Sequence, residues 1–483
     1  MFAMGGFVLF ALGGCEPAPP PRDLPVGLSL TTAMASDGSY ISWREHLIDD
    51  EATAGVELRG SDGLVMADLN LDGYLDVVSV HESDTEYDGE PDGIIRIAFG
   101  SADPDEWVSI TVAQGRDAAA PEDVAIGDMN GDGYPDIVAA SELAHLIYLQ
   151  NPGEGAATES WQRLIPEVTV DRGSFIRVFL ADLTQDGRLE VVTANKGAQN
   201  PTLDMGAKAI SWFSIEGDPL LSASWIEHEL TRVPWPINSQ PVDLDGDGDW
   251  DIVGGSTAEL RIMWFENLGG GEFLEHRIEI PGTAVPEDRR RRRDPGDRAA
   301  VNGFNMDFVD LSGDGRLDIV LVESGHTLVW IEQPAEADEA WELHAIGTHW
   351  PDAVTGFGLA DINGDGNPDI IAGGYSRGPR DQDGDRDLMA SMGRIAWFEH
   401  PGDARGRWIR HDISRRRRGM FDKFVPRDMD GDGDVDFVAT RGNSAPYDGV
   451  FWLEQVRSTD PRPSFERARE ADSQEARLPL EAR

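Results

Sequence analysis

Short apolar runs recur along this chain and are cut at intervals by glycine, proline and acidic turns. One series begins on an acid: Asp136-Ile-Val-Ala, Asp251-Ile-Val-Gly, Asp318-Ile-Val-Leu and Asp369-Ile-Ile-Ala. A second ends in aromatics: Trp212-Phe213, Trp264-Phe265-Glu266-Asn267, Trp330-Ile331-Glu332, Trp397-Phe398-Glu399 and Trp452-Leu453-Glu454. A third spaces an aromatic, a histidine and an aliphatic residue, as in Trp43/His46/Ile48, Phe273/His276/Ile278, Trp341/His344/Ile346 and Trp408/His411/Ile413. Trp225/His228 belongs with them, while Trp107 and Trp161 keep only the aromatic. β-Branched and aromatic runs bounded by turn formers predict strands. Helical periodicity is hard to find before residue 457, which argues against a helical solenoid.

The series keep a fixed order around an acidic nonapeptide, Asp128-Met-Asn130-Gly-Asp132-Gly133-Tyr-Pro-Asp136, that the chain writes seven times. We name the strand before it A, the one after it B, the Trp-Phe-Glu strand C and the Trp-x-x-His strand D. Four short antiparallel strands per period, repeated seven times, predict an all-β, seven-bladed β-propeller. The chain opens on a lone D strand near 41–48 and closes on A, B and C near 421–455. Unpaired edges invite aggregation, so the N-terminal strand is expected to complete the last blade and close the ring. The acidic A–B loops then share one face with the C–D turns. The B–C and D–A loops, which carry nearly all long insertions, share the other, and such loops on a rigid scaffold usually carry function.

Side-chain oxygens at positions 1, 3, 5 and 9, with glycine at position 6 for the bend, suit a hard dication taking six to eight oxygens. The first copy offers Asp68, Asn70, Asp72 and Asp76; the second Asp128, Asn130, Asp132 and Asp136; the third Asp182, Thr184, Asp186 and Glu190. The fourth offers Asp243, Asp245, Asp247 and Asp251; the fifth Asp310, Ser312, Asp314 and Asp318. The sixth offers Asp361, Asn363, Asp365 and Asp369, and the seventh Asp428, Asp430, Asp432 and Asp436. Position 7 would add a backbone carbonyl. Up to seven structural calcium ions are expected, held hardest in the acid-rich fourth and seventh copies. Strands flank these loops, so the helix–loop–helix type of calcium site is excluded.

Composition sharpens this picture. Asp and Glu total 89 against 41 Lys and Arg, a formal charge of -48. That balance opposes nucleic-acid binding and suits an extracytoplasmic, cation-binding protein. The single cysteine permits no internal disulfide. It ends the apolar run Phe7-Val-Leu-Phe-Ala-Leu12-Gly-Gly-Cys15, which resembles the lipobox of bacterial lipoproteins and is too short to span a bilayer. The expected organisation is a lipoprotein signal peptide at 1–14, a Pro-rich tether at 15–36 starting on lipidated Cys15, the propeller at 37–456 and a charged tail, partly helical, at 457–483. The protein would be a monomer held to an outer membrane (periplasmic side or cell surface) by its lipid alone.

The repeats resemble the FG-GAP/VCBS repeats of integrin-α-like propellers and many bacterial surface proteins, over residues 41–455. The resemblance implies calcium in the A–B loops and ligand contacts mostly on the opposite face. Family members include adhesion modules, carbohydrate-binding modules and some lyases, so the fold leaves function open. The leading expectation is a binding or adhesion module for a glycan or protein ligand. Candidates on the B–C/D–A face are Trp235 and Trp350, beside prolines, and two arginine runs beginning near Arg289 and Arg415. The enzymatic alternative, a polysaccharide lyase, would draw on His81, His145, His326 or His349 with nearby acids. A structural subunit of an envelope complex is the third reading.

Overall fold

The computed structural model describes residues 24–83, 89–200, 202, 206–337 and 339–480. Cys15, the signal peptide and the start of the tether lie outside them. Strands make seven sheets, six of four strands and one of five. The first blade runs Ser61–Ala67, Asp76–His81, Ile94–Phe99 and Val108–Gln114 as strands A to D. Strands B and C are buried throughout because neighbouring blades cover both their faces, which is why they read as unbroken apolar runs. D strands face outward and alternate: Val108–Gln114 is mostly exposed or half-buried.

The third sequence series records one contact, made five times. The D-strand histidine lies directly opposite the C-strand tryptophan and stacks on it. Ring centroids are 4.1 Å apart for His46–Trp452, 3.9 Å for His228–Trp212 and 4.3 Å for His344–Trp330. In four of the five its Nε2 then meets the glutamate two residues beyond that tryptophan, at 2.7 Å for His46–Glu454 and 2.8 Å for His411–Glu399, while His228 meets Ser214 at 3.0 Å.

The ring closes as the strand order predicts. Tyr40–Asp50 pairs antiparallel with Gly449–Ser458, from Tyr40 opposite Ser458 to Asp50 opposite Gly449, and supplies the D strand of the seventh blade. Ile41, Trp43 and Ile48 on it are buried.

Two expected boundaries are corrected. Residues 24–36 are no tether: Ala33 and Ala35 enter the core beside Trp43, and the Ile41 amide donates to the Ala33 carbonyl. Nor is 457–480 a loose or helical tail. Phe465–Glu466 adds a fifth, parallel strand beside Trp43 and Arg44, and Ala476 exchanges backbone hydrogen bonds with Val26 and Arg415. The tail's docking was not legible because its charged partners lie far away along the chain. Arg416 reaches Glu45 at 2.6 Å and Asp472 at 3.1 Å, and Arg441 also grips Asp472, with every side chain in the group almost fully buried. Against the opposing effect of burial, Arg441 and Arg416 hold the Asp472 carboxyl well below the ordinary range.

Removing one member of a buried charge network leaves the others unpaired. Arg416→Ala should therefore cost about 3–5 kcal/mol in urea unfolding, while Arg292→Ala on an exposed loop should cost nothing measurable. Deleting residues 37–50 should expose the edge of Gly449–Ser458 and shift the protein into aggregates on size-exclusion chromatography.

Candidate functional site: an acidic rim and a charged mouth

The seven acidic loops form one rim and share one backbone. Glycine at position 6 has φ between +85° and +96° in all seven copies, a region L side chains rarely adopt. Position 4 is also left-handed, with glycine in five copies and Leu71 and Gln185 in the other two at +56° and +57°. Carboxylates at positions 1 and 5 accept loop amides: Asp128 takes Asp132 N–H at 3.1 Å and Gly133 N–H at 2.9 Å, and Asp132 takes Tyr134 N–H at 2.9 Å.

Position 9 behaves differently from the other three. Asp251 is buried, and its two oxygens accept the Leu244 amide at 3.2 Å, the Asn267 amide at 2.8 Å and the Trp264 indole at 2.9 Å. Asp76, Asp136, Asp318, Asp369 and Asp436 repeat the backbone part of this pattern, taking position 2 of the loop and the residue that leaves strand C. Glu190 takes the position-2 and position-3 amides and the Thr184 hydroxyl. Burial pushes Asp251, Asp369 and Asp436 up to about 7, against these hydrogen bonds.

The residue leaving strand C also reaches across to the previous blade. Asn151 Nδ2 donates to Leu69 O at 2.9 Å, Asn267 Nδ2 to Leu183 O at 2.9 Å, Gln333 Nε2 to Leu244 O at 3.1 Å and Gln455 Nε2 to Ile362 O at 3.1 Å. Sequence reasoning missed this role, although Asn267 after Trp-Phe-Glu was its visible trace.

The four-oxygen set expected for a cation is thus divided. In the fourth and seventh copies Asp243, Asp245 and Asp247, and Asp428, Asp430 and Asp432, bring one oxygen each within 4.8 Å of one another. One of them, Asp243 Oδ1, is buried without a hydrogen-bond partner. These two triads fit a hard dication. Where position 3 is asparagine, its amide nitrogen faces the position-5 acid instead, as in Asn130 Nδ2 to Asp132 at 2.8 Å.

On the opposite face all seven blades contribute to a central mouth, a cavity of about 360 Å³. Asp62, Glu82, Glu122 and Glu142 from the first two blades line one part of it, and Arg291, Arg293 and Arg377 from the fifth and sixth another. Trp235 stands in its wall with φ +52° and an indole N–H that has no partner. Arg293 lies 5.7 Å over its ring, and Arg289 5.3 Å over Trp350. The first arginine run and both proline-flanked tryptophans therefore do meet in space.

The other candidates do not join them. Arg415 is fully buried and holds Asp352 with two contacts of 2.8 Å, locking the C-terminal segment rather than facing a ligand. None of the four histidines lines the mouth. His81 is fully buried between Ser61 and Ser79 hydroxyls, and burial pulls it down to about 3. His349 is fully buried with neither nitrogen paired, His145 meets the Asp117 carbonyl at 2.9 Å, and His326 packs edge-on to Trp350.

The FG-GAP-like repeat profile matches residues 68–139, 128–193 and 302–372, and each match contains an A–B acidic loop with its flanking strands. The chain carries FG-GAP-like repeats on a seven-bladed β-propeller. No curated protein matches it. Among solved structures, YCF48 from Cyanidioschyzon merolae is similar at 8% identity, covering 85% of this chain and 98% of that one, with a TM-score of 0.46. BBS1N, solved in complex with ARL6DN, is similar at 10% identity over 87% and 98%, with a TM-score of 0.42. The V. cholerae biofilm matrix protein Bap1 follows at 12% identity over 90% and 92%, with a TM-score of 0.39.

Because position 9 clamps backbone amides, its loss should be felt without any ion. In chelator, Asp251→Ala should lower the unfolding free energy by about 3 kcal/mol, and Asp245→Ala, exposed and bonded only within its loop, by well under about 1 kcal/mol. Equal effects in denaturant titrations would contradict the division of roles.

Proposed function

We propose that this FG-GAP-repeat propeller is a binding module whose mouth on the B–C/D–A face receives a glycan or protein ligand. Calcium ions would brace the opposite rim, and a lipid on Cys15 would hold the protein to an extracytoplasmic membrane surface. The mouth carries the reading. All seven blades contribute to it, and it holds a tryptophan in a backbone conformation that side-chain-bearing residues seldom adopt. An indole with an unpaired N–H beside a guanidinium offers a ligand both a stacking surface and a donor. Local strain of this kind persists where the surroundings enforce it, and such sites are often binding sites.

At the rim, the Asp243 and Asp428 triads supply three carboxylates each, and carboxylate count raises calcium affinity. The position-9 acid, already engaged with amides, would hold the loop in shape around the ion.

Two measurements test this. Millimolar calcium should raise the melting temperature and a chelator should reverse it, with the gain reduced in Asp245→Ala and Asp430→Ala; an unmoved melting temperature would remove calcium from the reading. On arrays of defined glycans and immobilised proteins, the wild type should be retained by a subset. Trp235→Ala should lose that retention at least about tenfold with its melting temperature unchanged. Full retention by that variant, or none by the wild type, would overturn the mouth as the site.

A further inference from the structure

The mouth is polarised, and its two charge clusters are not each other's partners. Asp62, Glu82 and Glu122 crowd one side. Burial first pushes all three carboxyls well above the ordinary range; Asp422 and Glu142 add to this at Asp62, Glu142 and Asp62 add to it at Glu82 and Glu122, and Arg380, Arg177 or Lys196 offset it in part. Lys196 is already committed, since it pairs with Glu142. Nearby, Asp422 is 2% exposed, and neither of its oxygens has a hydrogen-bond donor; Arg177 stands 3.5 Å away as an ionic contact. On the other side, burial first and then Arg293 and Arg377 pull Arg291 below the ordinary arginine range, against Asp294. One cavity is therefore lined by a buried group of acids and, from other blades, by arginines that reach solvent.

The kind of guest follows from which groups line the cavity. Among the described residues, the triads of acidic oxygens that converge within 4.8 Å are all elsewhere, so the mouth carboxylates form no ready-made triad for one ion. They must be met by separate donors on an extended guest. The arginines at the other end demand an anion, for which the guanidinium fork suits a carboxylate. Trp235, Phe304 and Tyr375 stand in the same wall and suit the apolar stretch between two charged ends.

We infer that the mouth binds an amino-acid-like zwitterion, its ammonium group against Asp62, Glu82 and Glu122 and its carboxylate against Arg291, Arg293 and Arg377. Each end then supplies the counter-charge that the fold withholds from its cluster. A guest bearing only one charge leaves the other cluster as strained as before.

This inference rests on the mouth being a binding site, and the test separates the two. Full-length protein is titrated calorimetrically with 4-aminobutanoate, 6-aminohexanoate and 8-aminooctanoate, and with hexylamine, hexanoate and N-acetyl-6-aminohexanoate as single-charge controls. At least one zwitterion should bind, and the controls should bind at least about tenfold more weakly, since each charge-assisted contact is worth that much. Glu122→Gln and Arg293→Ala should each weaken the zwitterion by a similar factor. Both relieve like-charge crowding, so their melting temperatures should hold or rise, and these are recorded alongside. Controls that bind as well as the zwitterions, or zwitterions that bind both variants as the wild type, would overturn the inference. If no zwitterion binds while an arrayed glycan or protein is retained by the wild type and lost in Trp235→Ala, the inference falls and the binding reading stands. If neither is seen, both fall.

Discussion

A buried carboxylate taking amide protons from two separate stretches of chain is the contact on which this ring is built. The acid at position 9 sits at the start of strand B, yet in most blades it also takes the amide of the residue leaving strand C. It therefore fixes the A–B loop and the C strand at once. Its burial would be costly in isolation, and two or three donors offset that cost. The side chain of the residue leaving strand C extends the same bond to the preceding blade in four of the seven cases, so adjacent sheets are tied at the rim by hydrogen bonds as well as by the apolar core between them. Seven sheets that touch mainly through interchangeable aliphatic side chains could slide past one another, and these directional bonds set their register.

What could be read from the chain is what repeats. The period and the strand order were legible because each pattern is local and occurs many times, and the closure by Tyr40–Asp50 followed from that order; the recurring histidines were visible, their stacking on strand C was not. What escaped was contact between residues that neither repeat nor lie near one another. Arg415 and Arg416 look like members of a solvated run, and only the fold reveals Asp352, Glu45 and Asp472 around them. His81 and His349 looked accessible because charged residues flank them, whereas His81 ends a B strand enclosed by neighbouring blades and His349, just past a D strand, is sealed against Phe398 and Arg394 of the next blade. The acidic loops were half legible. Their spacing announced a cation, but spacing alone cannot separate an oxygen that faces outward from one already spent on backbone amides.

The two faces do different electrostatic work. The rim repeats one local arrangement, so its charge is uniform around the ring. The mouth is assembled from insertions that differ from blade to blade, and its charge is lopsided: acids come from the seventh, first and second blades, arginines from the fifth and sixth. Symmetry in the scaffold and asymmetry in its loops are compatible because the buried B and C strands bear the load of packing, leaving the insertions free to diverge.

The seventh blade joins the two ends of the polypeptide, with His46 and Glu454 bonded across 408 positions of sequence. During synthesis, Tyr40–Asp50 must therefore leave the ribosome and wait, without its neighbour, until nearly everything else has been made. Closing so long a loop is entropically expensive and slow. The strand that waits carries Ile41, Trp43 and Ile48, groups a cell would be obliged to shield meanwhile. Once Gly449–Ser458 arrives, the waiting strand is paired along its length, and Phe465–Glu466 then clasps its outer edge at Trp43 and Arg44, so that the last stretch made fastens the first.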